Sequence, residues 1–474
     1  MLKRLDAATV EAAERVPPVL SNQGFLYLWL AQIISQTAQN AVLYALLILI
    51  LYLTESATST SALVLVFITP TVIFGIFSGT LVDRWSKRRL LILTNAGRAA
   101  AAVAFFFTQD HLWGLYGVTV LFASFSQLFT TTNAASIPFL VSRQQLISAN
   151  SLFSMGFTIA QVMGLIFLAP LLLKTVGAGP LFITAAGAFV AASLLARFLP
   201  FIGGHGEEET VGTFPGPAEL KGAVSEFIKA LGVLRSDPLS YLAMAHITAS
   251  STLVLIFAVM VPRYMQAILD RQPEDAVAVF APVVVGALIG LRSVPWFAAR
   301  LGNTKTVALG LFGLAVCLIA FGFVVLIAEG LERTERFNPF GTEQILGQSI
   351  LVSITIAVAG PLGFAYALLN APAQTLLHER TPLEMRGRIF ASQMVLANGI
   401  ALIPLVVVGG IADLYGVSHV VLGLGVLLAL GGAVSLYVER RWLHDEGSWP
   451  PPSSGAPSRW SRQQEAVSGS IDTT

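Results

Sequence analysis

Twelve apolar runs separated by short polar turns leave this chain one class of fold. A helix crosses the hydrocarbon core of a bilayer in roughly 20 residues, and it satisfies every backbone hydrogen bond within its own segment. The runs fall at about residues 25–53, 60–82, 88–107, 112–140, 146–174 and 180–200, then at 238–268, 277–300, 304–328, 346–377, 385–412 and 416–439. With 55% hydrophobic and 12% charged residues and a mean hydropathy of +0.74, a chain of 474 residues cannot be a water-soluble domain. A net charge of +1 gives no footing for nucleic acid, and the single cysteine, Cys317, rules out an intramolecular disulfide.

The runs divide six and six. Residues 1–24 form a polar N-terminal tail carrying Glu11 and Glu14, without the apolar core of a signal peptide, and residues 25–200 a first bundle. Residues 201–237 are a linker, because Gly203-Gly204, Glu207 to Glu209 and Pro215-Gly216-Pro217 suit no membrane span. Within it Leu220, Val224, Phe227, Ile228, Leu231 and Leu234 recur at helical spacing opposite Lys221, Glu226 and Lys229. This predicts an amphipathic helix that lies on the membrane surface or caps the two halves. Residues 238–439 form the second bundle and 440–474 a Pro- and Ser-rich disordered tail. If both termini are cytoplasmic, the inner segments hold most of the 28 Lys and Arg. The outer loops hold Lys174, Arg263, Arg271, Arg333 and Arg336, which is the positive-inside asymmetry of an inner, plasma-membrane protein.

Between the second and third runs stands Gly79-Thr-Leu-Val-Asp-Arg-Trp-Ser-Lys-Arg-Arg89. Asp83 closes one helix and Arg84, Lys87, Arg88 and Arg89 lead into the next, so opposite charges can pair across the turn, while Gly79 lets a neighbouring helix approach closely. Sliding the chain so that Asp83 falls on Ala299 sets Arg84 on Arg300, Ser86 on Gly302 and Arg89 on Lys305; a second slide sets Asn133 on Asn370 and Arg143 on Arg380. The second half therefore holds a worn copy of the turn, without its acid.

This turn resembles the G-x-L-a-D-R-x-G-R-K/R loop of the major facilitator superfamily, with Ser86 in place of the usual Gly. Within that superfamily the chain is similar to the drug-efflux and siderophore-export group, macrolide exporters included. The matches are Phe25-Leu-Tyr-Leu-Trp-Leu-Ala-Gln-Ile-Ile-Ser35, Pro70, Arg98, and Arg386 to Phe390 opening the eleventh span. Gly409-Gly-Ile-Ala-Asp413-Leu-Tyr-Gly416 looks like the family's Gly-x-x-Asp-x-x-Gly ending and is expected on the outer side. The resemblance implies an all-α membrane protein: twelve helices in two pseudo-symmetric six-helix bundles that rock about a central site. The charged turn would serve as the cytoplasmic gate.

Candidate cavity residues follow from helical spacing. Gln32, Gln36, Gln39 and Asn40, with Ser35, fall within one arc of the first span, and amides are costly against lipid. Ser124, Gln127 and Thr131 line up in the fourth span, His246 and Ser250 in the seventh, and Tyr366, Asn370 and Gln374 in the tenth. The resemblance places helices one, four, seven and ten around the cavity; interhelical hydrogen bonding is the alternative role for the same residues. Arg98 and Arg292 are buried charges, either part of the gate or counter-charges for an anionic substrate group. Many relatives carry Gly-Asp where this chain has Ala38-Gln39, and no Asp or Glu falls well inside any span, so the usual proton-coupling carboxylate is missing. His246 is the substitute to consider.

The expected function is secondary active export of amphipathic or hydrophobic small molecules by alternating access. An ion gradient would drive it, with protons the candidate coupling ion and membrane lipids the surroundings of an expected monomer. No nucleotide loop, metal-ligand cluster or activated nucleophile is present, so neither an enzyme nor a cofactor is expected. A flippase for lysophospholipid-like lipids and a non-transporting scaffold or assembly factor of the same fold are the alternatives.

Overall fold

The structure, a computed structural model, describes residues 18–142, 145–200, 238–324, 344–345, 348–380 and 386–445. Among these, twelve helices are long and apolar enough to cross a membrane. The first six are α1 (Gln23–Thr54), α2 (Ala57–Arg84), α3 (Lys87–Thr108), α4 (Leu112–Leu140), α5 and α6 (Ala178–Arg197). The second six are α7 (Pro238–Ala267), α8 (Ala276–Leu301), α9 (Asn303–Gly322), α10 (Ile350–Arg380), α11 (Arg386–Tyr415) and α12 (Val417–Asp445). A two-residue antiparallel ladder, β1 (Gln344–Ile345) with β2 (Gln348–Ser349), precedes α10. The chain is an all-α membrane protein, as expected. The amphipathic linker helix, the N-terminal tail up to residue 17 and the tail beyond Asp445 lie outside the described residues.

One span departs from its expected form. α5 is α-helical over Leu146–Val162, widens into a π-helix over Met163–Leu168 and resumes over Ala169–Val176. The wide turn lies against α1, where a Cβ on Gly164 would meet the Thr37 carbonyl at 2.5 Å and the Asn40 side chain at 2.7 Å. The wide turn shifts the phase of the helix without interrupting its apolar run, so by length and hydropathy the run reads as one helix.

Each bundle buries an aromatic cluster. In the first, Phe105 packs on Phe122 at 5.7 Å and on Phe182 at 5.4 Å, and Phe122 on Phe189 at 5.7 Å. In the second, Tyr264, Phe280 and Phe321 form a triangle with centroids 5.9 to 6.4 Å apart. Glycines bring α8 and α10 into backbone contact: a Cβ on Gly286 would collide with the Gly360 carbonyl, and one on Gly363 with the Val283 carbonyl.

The turns between helices repeat from one bundle to the other. Glu55, after α1, and Asp270, after α7, both take left-handed backbone, at φ 51° and 49°. Gly177, after α5, and Gly416, after α11, both stand at φ 85°. The charged turn breaks the pattern: Gly302 has φ 84° and ψ 162°, whereas Ser86 has φ −59° and ψ 117°. Only the second copy uses a conformation that demands glycine, so serine is tolerated in the first.

Candidate functional site

The α1 amides serve several neighbours. Gln32 is buried and donates from Nε2 to the Phe153 carbonyl of α5 at 3.1 Å, with Oε1 left without a partner among the described residues. Gln36 and Asn40 are also buried, and the Asn40 amide nitrogen likewise has no partner beside the π-helical turn. Gln39 is only partly covered and turns its Oε1 to Arg98 on α3.

Arg98 is fully enclosed, at 0% exposure, and neutral groups surround it. Nη1 donates to Gln39 Oε1 at 3.0 Å, and Nη2 donates to Asn95 Oδ1 at 2.7 Å and to Ser35 Oγ. Ser35 in turn donates to Asn95 Oδ1 at 2.8 Å. The guanidinium is sandwiched between Phe129 of α4, 4.0 Å from the ring centre, and Phe189 of α6, at 4.8 Å. Hydrogen bonds to a charged group are each worth about 1.5–3 kcal/mol and a desolvated cation–π contact about 2 kcal/mol. Burying an unpaired ion costs several kcal/mol, so these contacts hold the cation in place and leave its charge uncancelled. Arg292, expected as a second buried charge, is exposed on α8 instead. Its side of the helix points away from the Gly286 and Gly290 face that packs on α10.

In the second bundle the expected residues meet in one chain. Gln374 donates to Asn370 Oδ1 at 2.7 Å, Asn370 donates to Ser250 Oγ at 2.7 Å, and Tyr366 lies 3.4 Å from the Asn370 amide. Ser250 is fully buried and Gln374 is exposed, so the chain runs from the packed interior of α7 and α10 to an open surface. His246 stands apart, 8% exposed and 3.0 Å from Ser435 of α12. Gln127 and Thr131 bond within α4, Nε2 to Oγ1 at 3.3 Å.

Of the charged turn, the surroundings of Gly79 and the side chains of Asp83 and Arg84 lie outside the described residues, as do the side chains of Arg386 to Phe390. Lys87 is 3% exposed; its Nζ donates to the Val82 carbonyl at 3.4 Å and lies over the Phe139 ring at 4.8 Å. It therefore caps the end of α2 as much as it opens α3. Arg88 and Arg89 are partly covered. In the worn copy Arg300 lies over Trp296 at 4.1 Å and Lys305 is exposed.

Sequence reasoning missed the contacts that join the two bundles. Hydrogen bonds and an ion pair join the bundles at the end opposite Lys87. Asp413, at the end of α11, caps the first turn of α2: it accepts from the Ala57 amide at 2.8 Å, the Thr58 amide at 2.9 Å, Thr58 Oγ1 at 2.6 Å and Ser56 Oγ at 2.7 Å. Lys174 of α5 pairs with Asp275 at 2.6 Å, Tyr44 donates to the Pro273 carbonyl at 3.0 Å, and Tyr52 donates to Glu274 at 2.9 Å. Asp413 was visible through its motif. The Pro273-Glu274-Asp275 segment carries no signal beyond its charge. The molecule is closed at this far end.

Comparison with known proteins agrees with the architecture. The model of the Major Facilitator Superfamily matches residues 28–404. The uncharacterized MFS-type transporter YfiS of Bacillus subtilis (strain 168) is 25% identical over 425 residues, covering 88% of this chain and 94% of its own. The POT family transporter PepTSo superposes with a TM-score of 0.67 at 13% identity, over 89% of this chain and 99% of its own. The nucleoside transporter NupG does so with a TM-score of 0.63 at 13% identity, over 87% and 98%. At such identities the solved structures speak for the fold alone.

Proposed function

The chain belongs to the Major Facilitator Superfamily and is a secondary transporter of that type; from this premise we propose that it exports amphipathic or hydrophobic small molecules by alternating access. The observation that carries the reading is the chemistry of the interior. The spans hold amides and hydroxyls at Gln32, Gln39, Ser250, Asn370 and Gln374, while their acids, Asp83, Glu379, Asp413, Glu439 and Asp445, sit near helix ends. Such an interior suits neutral or anionic amphiphiles and disfavours multivalent cations, which would want buried carboxylates.

We assign the end carrying Lys87 to the cytoplasm of the plasma membrane, from the distribution of Lys and Arg. The far-end contacts through Asp413 and Asp275 are then the outer gate in its closed state. The Asp83 turn is the inner latch that engages when the molecule turns outward. His246, held by Ser435, serves packing in this scheme, so coupling to a proton gradient would run through another group.

The test is transport in proteoliposomes: purified full chain, an imposed proton gradient, and a panel of fluorescent amphiphiles of neutral, anionic and cationic headgroup. Movement of neutral or anionic members, reduced in Asp83→Ala at normal expression, is the expected result. Absence of movement for every member, with and without the gradient, would sink the export reading.

A further inference from the structure

The charge on Arg98 has no counterpart within the spans of its bundle. α1, α3, α4, α5 and α6 contain no Asp or Glu. α2 holds only Asp83, next to its last residue, and Asp110 lies past the end of α3. The guanidinium is bonded at the level of Asn95, eight residues along α3 from Lys87 and thus about 12 Å from the charged turn at 1.5 Å per residue. No carboxylate at either end of the helix spans that gap.

A guanidinium has five N–H donors in a planar fork. In Arg98 three hydrogen bonds go to Gln39, Ser35 and Asn95, and Nε has no partner among the described residues. Ser35 and Asn95 are fully buried, and the two rings close the faces of the plane. Gln39 is the one partly exposed ligand. It lies midway along α1, the most enclosed of the spans, so its exposure opens on the interior and not on lipid. Its amide oxygen occupies the position from which an anion in the interior would meet the fork.

We infer that Arg98 is an anion site with Gln39 as its neutral cover. The transported molecule carries an oxyanion, a carboxylate, catecholate or phosphate group, that displaces the Gln39 oxygen and cancels the buried charge. The inference rests on the export reading for the source of the anion, since an inorganic oxyanion could fill the same place. A charge-assisted, bidentate contact is the stronger one for this fork, and a neutral amide cannot supply it. Gain of the charge pair on loading would also make the loaded interior easier to enclose than the empty one.

The experiment uses the full chain in nanodiscs of zwitterionic lipid, titrated calorimetrically with three probes. Sodium decanoate and decyl glucoside share a tail and differ in headgroup charge, and sodium phosphate has no tail. The expected result is decanoate binding at least tenfold tighter than decyl glucoside. Gln39→Glu supplies a tethered carboxylate, and in this variant the preference should vanish while the melting temperature of the empty protein rises. Arg98→Gln should lose the preference and keep the glucoside affinity; if it fails to fold, Gln39→Glu alone decides, because it is isosteric with the native side chain. Equal binding of the two amphiphiles, or a preference that survives Gln39→Glu, overturns the anion site and leaves the export reading standing. Binding of phosphate alone, lost in Gln39→Glu, keeps the anion site and overturns the amphiphile as its ligand. No binding of any probe overturns the site.

Discussion

The two bundles share a plan and differ in what they bury. The first encloses a cation, Arg98, in a shell of Ser35, Gln39, Asn95, Phe129 and Phe189. The second encloses neutral groups only among its described residues, the Ser250, Asn370 and Gln374 chain and the His246 contact with Ser435. Their charged turns differ in the same direction. The first has Lys87 buried over Phe139 and ordinary backbone at Ser86, and the second has Arg300 on an exposed Trp296 and, at Gly302, a backbone conformation that only glycine adopts freely. Electrostatic specificity is thus concentrated in one half, and the other supplies close helix packing through Gly286 and Gly363. Duplicated halves need not remain interchangeable when they rock against each other; one can recognise while the other carries the hinge surface.

Mutations rank this difference. Gly286→Leu or Gly363→Leu should have the largest effect, on the order of 3 kcal/mol or more, because the added side chain meets backbone and not a movable neighbour. Loss of the monodisperse peak in detergent size-exclusion would register it. Next comes the turn pair: Gly302→Ser should cost about 1–3 kcal/mol, whereas Ser86→Gly should cost under about 1 kcal/mol. Thermal unfolding followed by a thiol-reactive dye reads both, since Cys317 is the single cysteine and is buried. Equal costs would erase the distinction between the two turns.

Asp413→Ala removes the cap that ties α11 to α2, worth about 1–2 kcal/mol, or roughly a tenfold rise in the open-end population. Spin labels at Thr175 and Gln272 in a Cys317→Ser background should show a longer distance; an unchanged distribution would mean the far end is held by packing alone. The smallest effect belongs to Lys174→Ala. Its pair with Asp275 has the lysine side chain 61% exposed, so the shift should stay below about 1 kcal/mol on the same labels and shrink further in high salt.

The twelve spans and the charge at the end of α11 were legible because apolar length and helix-end charge are written residue by residue. Left-handed turns at Glu55 and Asp270 were not, since no glycine flags them. The Glu55 amide is held by the Leu51 carbonyl at 2.8 Å, a backbone contact that leaves no mark on side-chain pattern. Nor were the partners of Arg98: they come from α1, α3, α4 and α6, and a cation ligated by neutral groups leaves no complementary charge to search for. Likewise Lys174 and Asp275 read as two loop charges until the fold brings them together. The α1 amides could be placed on one face, but helical spacing cannot say which of several neighbours that face addresses.

The widened turn of α5 acts as a phase shifter. One additional residue per turn rotates everything beyond Leu168 by about 100° relative to a continuous α-helix. Thus Gln161 and its neighbours are indexed to one side of the bundle while Lys174, on the far segment, is indexed to Asp275 of the opposite bundle. The two ends of α5 therefore answer to different partners: closing the wide turn into regular α-helix would swing Lys174 off Asp275 while leaving the inner segment in register with α1.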